Sequence, residues 1–436
     1  MSTSIISERK LAVFLSCLLV IYGSVAILFD LKFRGNQRLE RLLSHLSLLD
    51  NDLLVDNGYK QLDQADRDSL NSAVETFQEA LRRDPASPYR WCDLGEALFE
   101  AEQVEKARYC FSRALELGPN TAPILLRVAN FHFRVDESRQ ALPCTYRVLT
   151  LLSEFDPAIF SSYTRMGGGI DDVLNYGLPA IASPAQGFFR HLLSQEAEVP
   201  DVRRAWGWLT SHALTDDKLA GEYIDYLLKN REYNVAVETW TSQLGERNGS
   251  YLISNQLFNG NFETETTGTT LDWKIRQADG VEVSRDSAIT HQGHWSLRIR
   301  FEGKENLAYS HIAQRAVVKP GNYRFEAWLR TERITTDQGI GFRVFDVELP
   351  ARLDIRTEPV VGTTEWREIE KTFQVPQQTR LIEIQVIRQA SLKFDNKISG
   401  AAWLDGIELV PLRGDSRLDF SERIGRKVMP RSGQEL

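Results

Sequence analysis

Read from Pro88, the residues Trp91, Leu94, Gly95, Ala107, Phe111, Ala114 and Pro119 fall at offsets that suit two short antiparallel helices. Small Gly95, Ala107 and Ala114 let the paired backbones approach closely, and Trp91 and Phe111 fill the space between turns. The pattern recurs. One period of about 34 residues earlier stand Ala73, Phe77, Ala80 and Pro85, and one period later Val128, Ala129 and Ala141. Each unit leaves an apolar face for its neighbour, so three matches in one register predict a stacked helical array. The register is lost after Phe155 through MGGGIDDVLNYGLPAIASPAQG, and helical periodicity returns in DVRRAWGWLTSHAL and LAGEYIDYLLKNREYNVAVETWTSQL. Residues 60–247 therefore read as one α-solenoid with an irregular middle. The triple glycine is no phosphate loop, because G-K-[ST] does not follow it.

From residue 252 the apolar period changes to two. VEVSRDSAI, SLRIRF, NYRFEAWLR, GIGFRVFDVEL, WREIEKTFQV, RLIEIQVIR and AAWLDGIELV read as strands separated by Gly, Pro, Asn and Asp clusters. They predict an all-β sandwich over residues 252–413, followed by a polar, aperiodic tail at 414–436 expected to be disordered.

At the other end, Leu11 to Phe29 is a run of 19 residues without a charge. At about 1.5 Å per residue it spans roughly the hydrocarbon thickness of a bilayer, and no small-x-small cleavage site follows. The expectation is a transmembrane helix at 11–29, after a short segment at 1–10 and before an amphipathic stalk and linker at 30–59. The expected placement is single-pass in the cytoplasmic (inner) membrane. Arg9 and Lys10 on one side against Lys32, Arg34, Arg38 and Arg41 on the other favour a cytoplasmic C-terminus. Long domains translocate largely regardless of charge, however, so the soluble domains are expected in the periplasm.

Charge and chemistry narrow the function. A net charge of -8 leaves no basic field for a nucleic-acid backbone. The acidity belongs to the helical half, where Lys and Arg stand 26 against 34 Asp and Glu in residues 1–251, compared with 21 against 22 in residues 252–413. Cys17, Cys92, Cys110 and Cys144 show no C-x-x-C spacing and read as small buried apolar residues. There is no G-x-S-x-G, H-E-x-x-H or P-loop, and His291 and His294, three apart, read as surface residues of a β loop. No catalytic residue is assigned, and the chain is expected not to be an enzyme.

These motifs carry two resemblances. The helical units resemble tetratricopeptide repeats. The β region resembles the jelly-roll carbohydrate-binding modules found beside bacterial glycanases, through NGNFE at 259–263 with Trp273, GHWSLRI at 293–299 and KPGNYRFEAWLR at 319–330, then EWRE at 365–368, FQVP at 373–376 and WLDGIEL at 403–409. In this order, the whole chain is similar to bacterial membrane-anchored tetratricopeptide proteins associated with exopolysaccharide and O-antigen assembly. The resemblance implies a structural Ca²⁺ held by Glu263 and Asp405 with carbonyls near Gly293, although both side chains also read as plain polar residues at strand ends. It implies a sugar face of exposed aromatics, for which Trp273, Tyr309 and Phe342 are chosen as the rings nearest loops. Trp328 and Trp403 read as core. For the repeats it implies a protein partner in the concave groove, with Trp91, Leu94 and Gly95 facing the packing interior and Arg90 and Asp93 free to touch the partner. The function so implied is a scaffold in the assembly or export of a cell-surface polysaccharide. A purely protein-binding adaptor with a structural sandwich is the alternative, and a glycan-active enzyme is the third reading.

Overall fold

The structure, a computed structural model, describes residues 51–165, 169–249 and 251–412. Among them no helix is long and apolar enough to cross a membrane. The expected span at 11–29 and the tail at 414–436 lie outside the described residues. The fold class is corrected accordingly to helical repeats followed by an all-β sandwich, and neither a transmembrane helix nor single-pass inner-membrane placement is supported. The chain forms two compact units, one through Ala185 and one from Gln186.

In the first unit, helices α1 (Asn51–Leu62), α2 (Arg67–Arg83), α3 (Pro88–Glu100), α4 (Val104–Leu117), α5 (Ala122–Arg134) and α6 (Ser138–Leu151) form three successive hairpins. The repeat positions at Ala73, Phe77, Ala80, Ala107, Phe111, Ala114, Val128, Ala129 and Ala141 are all buried. Pro85 and Pro119 are exposed, and Trp91 departs from the expected interior. It is half-buried, its indole N–H donates to the Pro85 carbonyl at 3.0 Å, and its ring meets Tyr109 edge-on at 5.9 Å. The first hairpin begins inside what reads as linker. Gly58 does there what Gly95 does in the second hairpin: a Cβ on Gly58 would meet the Phe77 ring at 2.6 Å, and one on Gly95 the Phe111 ring at 3.0 Å. Gly58 precedes its phenylalanine by three residues more than Gly95 does, which takes it out of the 34-residue register. Beyond α6 lie α7 (Asp156–Arg165) and an irregular turn, Ile170–Asp172 continuing as the π-helical Val173–Gly177. Cys92, Cys110 and Cys144 are buried free thiols, pushed up by burial to about 12, 11 and 11.

Helix α8 (Ala182–Ser194) leads into α9 (Val199–Ser211), α10 (Asp217–Lys229) and α11 (Tyr233–Leu244). One turn closes five of these helices. After α3, α5, α8, α9 and α10 a non-glycine residue takes positive φ (Glu102, Asp136, Glu196, Ala213, Arg231). The next amide then reaches back five residues: Gln103 to Leu98 at 2.8 Å, Glu137 to His132 at 2.8 Å, Ala197 to Leu192 at 3.1 Å, Leu214 to Leu209 at 3.0 Å and Glu232 to Leu227 at 2.9 Å. This is the Schellman closure, which satisfies carbonyls that a helix end leaves open.

The sandwich of the second unit has two five-stranded antiparallel sheets, with strands β1 (Lys274–Ile275), β2 (Val281–Asp286), β3 (Ser296–Glu302), β4 (Tyr309–Val317), β5 (Gly321–Ile334), β6 (Gly341–Asp346), β7 (Asp354–Arg356), β8 (Gly362–Val375), β9 (Leu381–Arg388) and β10 (Ser399–Pro411). One sheet runs β1-β4-β9-β6-β7 and the other β2-β3-β10-β5-β8. Alternate residues such as Phe325, Leu329, Val344, Ile384 and Leu404 meet between the sheets. β4 escaped the alternation test because its inward row carries Gln314, buried and spent on the Phe258 and Leu271 carbonyls at 3.0 and 2.7 Å. The last helices belong to this unit. Trp240 packs on Phe258 at 5.5 Å, Tyr233 donates to Glu348 at 2.7 Å and Lys274 reaches Asp225 at 3.3 Å.

Candidate functional site

The three aromatic residues expected to meet sugar are core residues. Trp273 and Phe342 are 0 % exposed and Tyr309 is 2 % exposed. Trp273 packs on Phe262 and donates to the Asn259 carbonyl, Phe342 packs on Phe325, and Tyr309 packs on Phe301. A ring with no surface cannot stack on a pyranose, so the assignment is corrected. Sequence position beside a loop does not report which side of a sheet a ring occupies; strand parity does.

Parity leads to Phe345. It is three residues from Phe342, and therefore on the opposite, outer face of β6. Cross-strand register puts Arg315, Glu383, Phe345 and Asp354 in one row across β4, β9, β6 and β7, and Gln385, Arg343 and Arg356 in the next. The rows are interlocked. Arg343 grips Asp354 with two bonds of 2.7 and 2.8 Å and lies over the Phe345 ring at 4.2 Å, while Glu383 accepts from Arg315 at 2.8 Å and from Gln385 at 2.7 Å. The hydrogen bond from Arg343 holds Asp354 below its ordinary range, so this carboxylate is charged and ready to accept. One aromatic ring amid planar, half-buried polar groups is a surface that can take a sugar face and its hydroxyls.

The outer face of the other sheet carries more tryptophan, but its rings are already engaged. Trp403, 3 % exposed, donates to Asp286 at 2.9 Å beneath Arg298 and Arg330. Trp328 is covered by His291, stacked at 3.8 Å. Glu326, Glu368 and Glu370 gather beside them, and desolvation, then neighbouring carboxylates against the pull of Arg324, raises Glu326.

Glu263 and Asp405 both face the segment at 291–295, but they meet its amides. Glu263 Oε1 accepts from the His294 and Trp295 N–H at 2.7 and 3.0 Å. Asp405 Oδ2 accepts from the His291 and Gln292 N–H at 2.8 and 2.9 Å, and Oδ1 from the Gly406 N–H at 2.7 Å. The remaining oxygen, Oε2, lies 3.4 Å from His294 Nδ1. Ca²⁺ asks for six to eight oxygen donors. In this structure the oxygens of Glu263 and Asp405 are engaged by amide hydrogens as a hydrogen-bonded clasp on the 291–295 segment, and the metal role stays an expectation of the resemblance. Burial lifts Glu263, but the two amides and His294 pull it below its ordinary range; burial leaves Asp405, 0 % exposed, raised despite its three amides.

Arg90 and Asp93 are likewise not free. Asp93 is 3 % exposed and is held by the Tyr59 hydroxyl at 2.7 Å, Arg127 at 2.9 Å and Arg90 at 3.1 Å, while Arg90 also reaches Asp52 at 2.7 Å. Burial pushes the Tyr59 phenol up against the pull of Arg127. Beside this network, α3, α5 and α7 line a cavity of about 450 Å³, with Phe99, Phe131 and Phe133 as apolar wall and Arg127, Arg134 and Arg165 among its polar groups. Arg127 is spent on Asp93 and Glu96, and Arg134 on Glu100. Arg165 bonds only the Ser161 carbonyl and the Ser162 hydroxyl among the described residues.

Comparison with known proteins assigns the same two kinds of module. A carbohydrate-binding domain family matches residues 254–391, and a tetratricopeptide repeat matches residues 88–121. Both kinds are non-catalytic. Similar solved structures include the TmCBM61 module in complex with β-1,4-galactotriose, 22% identical, with a TM-score of 0.27, covering 36% of this chain and 99% of that one. The CBM22-1 xylan-binding domain of Paenibacillus barcinonensis Xyn10C is 17% identical, with a TM-score of 0.27, covering 38% and 96%. A family 16 carbohydrate-binding module is 16% identical, with a TM-score of 0.27, covering 36% and 99%.

Proposed function

We propose that this chain is a non-catalytic scaffold in the assembly or export of a cell-surface polysaccharide, holding a protein partner in its helical repeats and glycan on the outer face of the β1-β4-β9-β6-β7 sheet. The observation that carries the proposal is the joining, in one chain, of a tetratricopeptide repeat to a carbohydrate-binding sandwich. Phe345 supplies the ring, and Arg343, Gln385, Glu383 and Asp354 supply donors and acceptors already fixed in place by one another. The helical cavity supplies the complementary half. Its phenylalanines suit an apolar side chain of an extended partner segment, and Arg165 suits an acidic neighbour on that segment.

A glycan array probed with the full chain tests the sugar half. Capture of a defined oligosaccharide, lost in Phe345→Ala and Gln385→Ala at unchanged melting temperature, is the expected result. No capture on the array, while a protein partner is still retained through residues 51–165, selects the adaptor reading in which the sandwich is structural.

A further inference from the structure

In the second unit, the turn between α10 and α11 faces the strand ends of the sandwich across a cavity of about 330 Å³. Arg231, Lys319 and Arg380 line it, against Glu232 as the carboxylate in the same lining. Val317 and Val318 give it an apolar side, and Tyr233 and Asn234 a polar one. Such a concentration of cations stands out in a chain of net charge -8. Arg231 sits in the closing turn at φ 63° and is fixed by Glu348 at 3.0 Å, the carboxylate that also accepts from Tyr233. Arg380 forms no side-chain ion pair or hydrogen bond among the described residues. Its backbone is fixed, since its carbonyl accepts from the Val318 N–H at 2.9 Å.

We infer that this cavity is a second saccharide subsite, separate from the Phe345 face, that takes the anionic group of an acidic sugar. The inference rests on the reading of the sandwich as a glycan binder and names the class of glycan. Three arguments meet here. The volume lies within the range of small-ligand sites, far larger than a lone inorganic anion requires. Guanidinium groups match carboxylate, sulfate or phosphate oxygens with paired N–H donors, and an ammonium adds a point charge. Val317 and Val318, buried at 8 % and 1 % exposure, wall the cavity on the sandwich side, so its cationic groups stand beside an apolar boundary. The subsite joins helix and sandwich, so an acidic polysaccharide bound there touches both.

Calorimetric titration of the full chain at low salt, with tetragalacturonate, neutral galactotetraose and inorganic phosphate in parallel, tests this. Tetragalacturonate is expected to bind, with affinity falling as salt is raised, and about three- to tenfold more weakly in Arg380→Ala, with partial recovery in Arg380→Lys. Lys319→Ala is expected to act in the same direction, and neither change should affect galactotetraose. Unchanged tetragalacturonate affinity in the Arg380→Ala, Lys319→Ala double variant overturns the inference and leaves the glycan reading standing. So does binding of galactotetraose without binding of tetragalacturonate. Phosphate binding as tight as that of the oligosaccharide overturns the assignment to a sugar, and failure of both oligosaccharides removes the inference together with the reading beneath it.

Discussion

Asp93, at 3 % exposure, is reached by Tyr59, Arg90 and Arg127, from α1, α3 and α5. Asp93→Ala takes one buried acceptor from the Tyr59 hydroxyl and from two guanidinium groups that keep Glu96 and Asp52, and unfolding in urea should show a loss of about 1–3 kcal/mol, the usual cost of removing one partner of a buried hydrogen-bonded group. A loss below about 0.5 kcal/mol would return this residue to the exposed groove, as befits a surface position. Glu263 gives a pH signature. Its folded-state pKa lies below the ordinary carboxylate range, so its contribution is present above that range and disappears as pH falls through the folded value. The melting temperatures of the parent chain and Glu263→Gln should converge on acidification; a gap that stays constant with pH would exclude a charge-dependent clasp. Neither role was legible in the sequence. Apolar periodicity marks Leu94 and Gly95 as inward and is silent on Asp93, two of whose partners, Tyr59 and Arg127, lie in other helices 34 residues away on either side.

The closing turns are the element with the clearest energetic consequence. An L-residue at positive φ costs about 1–2 kcal/mol, and glycine removes that cost while adding about 0.5–1 kcal/mol of chain entropy to be lost on folding. Glu102→Gly and Asp136→Gly, in turns with φ of 59° and 58°, should therefore stabilise the first unit by roughly 0.5–1 kcal/mol each. A lower denaturation midpoint in either variant would show that the replaced side chain contributes more than the strain it causes. Strands show how far the sequence can be read. Seven of the ten were legible as alternating segments, while β1 and β7, with two and three residues, are too short to show a period, and β4 hides a buried glutamine in its inward row. The outward row proposed for sugar was half legible. Phe345 follows from parity within GIGFRVFDVEL, but its neighbours Glu383 and Asp354 are placed there by register, which no local pattern reveals.

At the scale of the whole chain, the change from period 3.6 to period two at residue 252 is a change of secondary structure, and the compact units part earlier, at Ala185. The helices from Gln186 to Leu244 share Trp240–Phe258, Tyr233–Glu348 and Asp225–Lys274 contacts with the sandwich. A fragment cut at 252 uncovers Phe258 and leaves Glu348 and Lys274 without these partners, so it should melt several degrees below a fragment cut at 186. Equal melting temperatures would mean that the helices add nothing to the sandwich. The five identical closing turns carry a different kind of consequence. Each is made by the backbone, with Glu, Asp, Glu, Ala and Arg in the same left-handed place, so the joint does not depend on which side chain occupies it. Where a hinge pin fits any door, doors can be added or taken away. A helical pair inserted at such a joint would be closed by the same backbone geometry whatever side chain stands there, so the length of the array is set by how many pairs the chain carries and not by the chemistry of its joints.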